Sequence, residues 1–335
     1  MRVAIIGCGK QAPKHIAGYR AAGVDIEPVL ADLDEARARA LAQAEQAEWS
    51  GDPKTLIGDR SIEAVHICTP TASHYNLIVT ALEAGKHVFC EKPLCQTVGE
   101  AHNLAIRAGA KGLVGAVGYI YRFVPAFEWL HGLLNLEDGA PLGRPYFGIF
   151  RIGGRGSHQP WKHSVSGGGG ARNEMMVHML DLVLWCFGDL RNIQVLREGL
   201  LRPRRTIQGH SIAADAEDLV VLSATTSGGA ELLLEADLLT PAFSQFAEVE
   251  GDNGSFFGSI QPHLPSFVFL ERAVGELHAG RNELKHGGQS PFARQMAAFA
   301  EAVRRGPTGN LATFESSVAL METVSRLTGA VSGED

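Results

Sequence analysis

Short apolar runs and helix-period stretches alternate over the first third of the chain. Arg2–Ile6, Glu27–Ala31, residues 64–68, His87–Cys90 and residues 113–118 are each short and apolar enough to be buried strands. Between them, amphipathic spacing predicts helices from the glycines after Ile6 to about residue 22, over Glu35–Glu45, from Thr69-Pro70 to about residue 85, and over residues 99–110. Strand–helix alternation of this kind predicts a doubly wound parallel sheet covered by helices, in a first α/β domain over residues 1–120.

The pattern changes after Tyr119-Ile120-Tyr121-Arg122-Phe123-Val124-Pro125, which leads into a helix reaching about residue 136. Strands at 145–153, 191–198, 217–226, 230–239 and 245–251 then follow one another without the helical alternation. This predicts a second, α+β domain over residues 121–335 with a large, mostly antiparallel, open sheet. Two amphipathic helices, Pro291–Arg305 and residues 313–327, are expected to close it.

Composition narrows the function classes. The 335 residues are 45% hydrophobic and 20% charged, with a net charge of −7 and no basic tract beyond residues 202–205, so nucleic acid and anionic membrane are excluded as expected partners. No apolar run reaches eighteen residues, and the strand-like start lacks a signal-peptide pattern. The five cysteines form no C-x-x-C pair and sit mostly in apolar context, which predicts reduced, structural thiols in a cytoplasmic protein. The thirteen histidines show no ligand spacing such as H-E-x-x-H, so no metal is expected.

The chemistry-bearing signals begin at Gly7-Cys8-Gly9-Lys10-Gln11-Ala12. This is G-x-G-x-x-A between a strand and a helix, where the glycines let a pyrophosphate approach the backbone and rest on the helix N-terminus. The pattern is that of a dinucleotide-binding Rossmann domain. Asp32, at the end of the second strand, is placed to accept hydrogen bonds from a ribose 2′-hydroxyl and to repel a 2′-phosphate. That favours NAD over NADP. Asp32 could instead cap the next helix, but Asp34 is better placed for that. Thr69, Pro70 and His74 follow the third apolar run, and Glu91-Lys92-Pro93 follows the fourth. A Lys followed by Pro is a poor way to build a core, and it makes sense at a strand's carboxyl end, facing a ligand.

In the second half, glycines 167–170 break structure before Ala171-Arg172-Asn173-Glu174-Met175-Met176-Val177-His178-Met179-Leu180-Asp181. Glu174, His178 and Asp181 share one helix face. A carboxylate beside an imidazole suits proton transfer near neutral pH. E-x-x-x-H and H-x-x-D also occur as ordinary polar pairs, and spacing alone does not choose between them. Arg151, Arg155, His158, Trp161, Lys162 and His163 form a basic, aromatic stretch, for which a solvated loop is the expectation for most members.

The runs Ala4-Ile5-Ile6-Gly7-Cys8-Gly9, Cys68-Thr69-Pro70-Thr71-Ala72-Ser73-His74 and Ala84-Gly85-Lys86-His87-Val88-Phe89-Cys90-Glu91-Lys92-Pro93-Leu94 resemble the Gfo/Idh/MocA oxidoreductases. The resemblance implies an NAD-dependent dehydrogenase acting on a secondary hydroxyl of a cyclic polyol, sugar or sugar derivative. It implies Lys92, His178 and Glu174 as the catalytic group, Glu174 standing where the family usually carries Asp, and Met176 where a small residue is common. Gly7, Gly9, Lys10, Gln11, Asp32, Thr69, Pro70, His74, Glu91 and Lys92 would line the cofactor. Tyr121, Arg122, Arg151, Trp161 and Asp181 are the substrate-side candidates. An NADP-dependent sugar reductase and a non-catalytic sensor of the same fold are the alternatives. A broad sheet with one uncovered face implies a homodimer or homotetramer.

Overall fold

A computed structural model describes the chain except residues 136–139, 155–158, 208, 262, 285–286, 308 and 331–335. Arg155 and His158 therefore lie outside the described residues. The chain divides into two compact units. One is Met1–Phe123 with Gly288–Glu322, and the other is Val124–Gly287 joined by the end of the last helix.

The first unit runs β1 (Arg2–Ile6), α1 (Ala12–Ala21), β2 (Glu27–Ala31), α2 (Glu35–Glu45), β3 (Glu48–Ser50), α3 (Pro53–Gly58), β4 (Ala64–Ile67), α4 (His74–Glu83), β5 (His87–Cys90), α5 (Val98–Lys111) and β6 (Gly115–Val117). The strands form one parallel sheet in the order β3-β2-β1-β4-β5-β6. Every residue of β4 is buried and so is nearly every residue of β1 and β5, which is why these strands read as continuous apolar runs. The order reverses between β1 and β4, so the carboxyl ends of these strands flank the switch point where open α/β sheets bind ligands. Helix starts are capped as the sequence demands. The Asp34 side chain accepts from the Arg37 amide at α2, and Thr97 with Glu100 forms a capping box at α5.

The second unit contains α6 (Pro125–Leu134), β7 (Pro145–Gly153), α7 (Val177–Phe187), β8 (Leu190–Gly199), a small hairpin of β9 (Arg204–Ile207) and β10 (His210–Ala213), then β11 (Leu219–Thr226), β12 (Glu231–Asp237), β13 (Ser244–Gly251), β14 (Gly254–Ser259), β15 (Phe267–Leu270) and β16 (Gly280–Glu283). Eight strands form a sheet in the order β16-β15-β14-β13-β7-β12-β11-β8, antiparallel except where β7 and β12 run parallel. β11 and β13 alternate strictly between buried and half-buried positions, so one face packs into a core and the other stays open. On the open face Phe246, Phe257 and Phe267 stack at 5.6 and 6.0 Å between centroids, and the Arg281 guanidinium covers Phe267.

The two late helices are α8 (Pro291–Arg305) and α9 (Phe314–Ala330). The sequence reading put everything after residue 120 in the second domain. In the structure α8 and the start of α9 complete the first unit instead. Met296, Phe299, Ala300 and Ala302 of α8 share a core with Tyr19, Phe89 and Phe123, so its apolar face is spoken for by the nucleotide-binding sheet.

Candidate active site

In the first unit the expected residues converge on one rim. Gly7 and Gly9 follow β1, Asp32 follows β2, Thr69 and Pro70 follow β4, and Glu91 and Lys92 follow β5. Gly7 has φ +93° and donates its amide to Ala31 O at 2.8 Å; a Cβ there would meet the Cys68 carbonyl carbon at 2.7 Å. At Gly9 a Cβ would meet nothing within 4 Å, so the backbone is open at the N-terminus of α1. Lys10 is exposed, and Gln11 Oε1 is buried with no hydrogen-bond partner among the described residues. The Asp32 carboxylate accepts from the amides of Cys8 at 2.8 Å and Asp34 at 2.9 Å, with the Arg37 guanidinium 3.8 Å away. An open glycine loop, an orphaned acceptor and a strand-end carboxylate fit the pyrophosphate and ribose of a dinucleotide.

Several residues on this rim act by holding it. His74 is buried, with Nδ1 2.9 Å from Pro93 O and Nε2 2.9 Å from Thr69 O, so its ring ties the loop after β4 to the loop after β5 rather than offering itself to a ligand. Burial pushes the His74 imidazole below its ordinary value, and the two carbonyls pull it back. Ser73 Oγ donates to Thr69 Oγ1 at 2.7 Å. Glu91 receives His15 Nε2 at 2.8 Å. Burial pushes the Glu91 carboxyl up, but the His15 hydrogen bond and the neighbouring His15, Lys92 and His74 side chains carry it below its usual value. Lys92 is half-buried and joined to Pro93 by a cis peptide. Tyr121 and Arg122 lie buried in the turn Ile120–Phe123, inside the first unit rather than the second where the sequence reading put them.

In the second unit a π-helical turn, Arg172–Met176, leads into α7 and carries Glu174. His178 follows in the first turn of α7, half-buried, and Asp181 is buried one turn on. The Glu174 carboxylate is paired with the Lys162 ammonium. The glycine run makes that pairing possible. Gly170 donates to Lys162 O at 3.0 Å with φ +106°, and a Cβ at Gly169 or Gly170 would collide with Lys162 main chain or the Glu217 carboxylate. Glu217 caps the turn by accepting from the Arg172 amide at 3.0 Å, and burial raises its carboxyl above the ordinary value. Arg172 in turn pairs with Glu198.

Among the described members of the basic stretch, Arg151, Lys162 and His163 are anchored and Trp161 is exposed. His163 is buried against the Arg205 guanidinium, which pairs with the buried Asp218 at 2.7 Å. Trp161 is 48% exposed, with the Lys162 ammonium 5.2 Å from its ring. Arg151 departs from expectation, because it bridges Glu235 at 2.9 Å and Asp237 at 3.5 Å across the sheet. Met176 is fully buried and so shapes the core. Sequence reasoning missed Lys162 as the partner of Glu174, and missed His15 and His66 altogether. The tight glycine run, and a His inside the apolar run 64–68, were the available signals.

Fold and rim define a dinucleotide-binding α/β protein. Residues 1–119 match the oxidoreductase family with NAD-binding Rossmann fold, Gfo/Idh/MocA, and residues 136–257 match that family's C-terminal domain. The chain belongs to this family and is an NAD-binding oxidoreductase. It is 26% identical over 326 residues to the scyllo-inositol 2-dehydrogenase (NAD(+)) of Bacillus subtilis, covering 96% of this chain and 91% of the relative. It is also 26% identical over 258 residues to the myo-inositol 2-dehydrogenase of Thermotoga maritima, covering 77% and 75%. Among solved structures, levoglucosan dehydrogenase in complex with NADH and L-sorbose shares the fold, with a TM-score of 0.86 at 20% identity over 98% of this chain and 96% of that one. Among the described residues no helix is long and apolar enough to cross a membrane.

Proposed function

We propose that this oxidoreductase moves hydride between a secondary hydroxyl of a cyclic polyol, sugar or sugar derivative and NAD. The observation that carries the reading is Lys92, presented at the end of β5 on the same rim as the open Gly9 backbone and Asp32. NAD, when bound, supplies the hydride acceptor. Asp32 binds the adenosine ribose through its carboxylate, and the loop Gly7–Ala12 faces the pyrophosphate. His178 accepts the hydroxyl proton as general base. Lys92 donates a hydrogen bond to the same oxygen and stabilises its developing negative charge. Glu174, its charge balanced by Lys162, orients the substrate, and Asp181 supports the helix face. The relatives named for inositols and a sugar support the substrate class.

Arg37, 3.8 Å from Asp32, is the one observation that favours an NADP-dependent reductase. It also lies 3.6 Å from Asp34, so its charge is already shared between two carboxylates, and NAD remains the better assignment. The open, aromatic face of the second unit's sheet supports a homodimer or homotetramer of the 35.9 kDa chain, which light scattering reads directly. Five free cysteines support a reducing, cytoplasmic setting.

The test is an NAD-reduction screen over inositols, aldoses and glucosides, followed by Lys92→Ala and His178→Ala. Each variant is expected to lose on the order of 10²–10⁴-fold in kcat while still binding NADH. Wild-type turnover in either would sink the mechanism.

A further inference from the structure

Behind Glu91 lies a line of buried polar groups that the reaction above does not use. Tyr19 Oη is 2.8 Å from His66 Nε2, His66 Nδ1 is 3.0 Å from His15 Nδ1, and His15 Nε2 is 2.8 Å from Glu91 Oε1. Tyr19, His66 and His15 are wholly buried. Phe89 stacks on His66 at 5.0 Å and meets His15 edge-on at 5.2 Å, while Phe299 closes on His66 at 5.2 Å.

The chemistry of the four groups sets a direction. An ionised carboxylate only accepts, so His15 carries its proton on Nε2 and gives it to Glu91. In a chain where His15 carries that one proton, its Nδ1 accepts, from His66 Nδ1 at 3.0 Å and from the Cys68 thiol at 3.5 Å. His66 Nε2 is left to accept, and the Tyr19 hydroxyl supplies that proton. In this arrangement every proton has a taker, as buried polar groups require. With His15 singly protonated, the reversed chain would set two acceptors, His15 Nε2 and Glu91, against each other at 2.8 Å. Burial holds His66 well below its ordinary value, consistent with a neutral ring.

We propose that Tyr19, His66 and His15 are positioning residues for the Glu91–Lys92 corner, a one-way donor chain that keeps Glu91 ionised, oriented and able to serve as a fixed counter-charge beside Lys92. This rests on the reading of Lys92 given above. The groups facing Glu91 are His15 from α1, Cys68 after β4, Cys90 in β5, His74 from α4 and Lys92 itself. Burial holds both thiols above their ordinary value and His74 below its own. Removing the His15 donor therefore raises the Glu91 pKa specifically.

The test compares His15→Leu, His15→Gln and Tyr19→Phe with the parent, reading kcat and KM for the best polyol or sugar from pH 5 to 9. His15→Leu is expected to move the acid limb of kcat upward by about one pH unit, with KM changed about twofold or less. His15→Gln, which keeps an N–H near the Nε2 position, restores the parental limb. Tyr19→Phe, which alters only the far end, gives a smaller shift of the same sign and serves if His15→Leu does not fold. An acid limb unmoved in both His15→Leu and Tyr19→Phe, or a Gln variant no better than Leu, overturns the proposal. NADH binding followed by fluorescence over the same pH range repeats the comparison without any sugar. In ¹⁵N-histidine spectra His66 is expected as the Nδ1–H tautomer and His15 as Nε2–H. The opposite His66 tautomer overturns the chain. A protein that shows these tautomers and pH shifts in NADH binding but oxidises no polyol or sugar would instead sink the dehydrogenase reading alone.

Discussion

The Glu174 carboxylate and the Lys162 ammonium, twelve residues apart, meet as an ion pair in which Glu174 is nearly buried and Lys162 keeps 21% exposure. Such a pair contributes less by its own attraction than it prevents, namely a carboxylate left buried without a counter-charge.

Lys162→Met is therefore expected to destabilise the protein by about 2–3 kcal/mol, somewhat less than the loss of a fully buried partner. Lys162→Met combined with Glu174→Gln should recover more than half of that loss. Urea unfolding of the four proteins in the double-mutant cycle measures it. Additive losses would mean that the two side chains stabilise the fold independently.

Asp32 is held by the Cys8 and Asp34 amides with Arg37 close by. Asp32→Ser removes the carboxylate proposed to bind the ribose and leaves Arg37 available to a 2′-phosphate. NAD is expected to bind roughly 10–100-fold more weakly, the range of one or two charge-assisted hydrogen bonds, and NADP more tightly. Titration of both cofactors reads the ratio, and an unchanged preference would remove Asp32 from the ribose site.

Burial lowers the pKa of His66, His74 and His87 from an ordinary value of 6.5. Below that pH the unfolded chain binds protons at these positions that the folded chain refuses. Stability is therefore complete above about pH 6.5 and is lost as pH falls, by up to about 1.4 kcal/mol per pH unit for each of the buried His66 and His74, and by less for the partly solvated His87. Thermal unfolding between pH 7.5 and 5.5 should show the decline, with a shallower slope in His66→Gln. An identical slope in that variant would show that His66 does not titrate differently in the two states.

The strands of the first unit were legible because burial on both faces leaves an unbroken apolar run, as in β4 and β5. β3 was not. Its Glu48-Trp49-Ser50 is an edge strand with two exposed positions, and carries no such run. The Gly7 loop and Asp32 were readable because backbone geometry demands particular residues there. The partners of Glu174 and Glu91 were not, because Lys162, His15 and His66 are ordinary residues whose meaning comes only from what the folded chain brings beside them. Arg151 shows the converse. A cation in a suggestive stretch turned out to be matched by Glu235 and Asp237 on the neighbouring strand.

The place of α8 has a consequence for synthesis. Tyr19, Phe89 and Phe123 share their core with Met296 and Phe299, so the nucleotide-binding unit begins first and is completed only after residues 124–287 have been made. While the ribosome makes residues 124–287, on the order of ten seconds or more at ordinary elongation rates, the first sheet waits with an apolar flank uncovered. Synthesis of α8 is the event that supplies the missing cover.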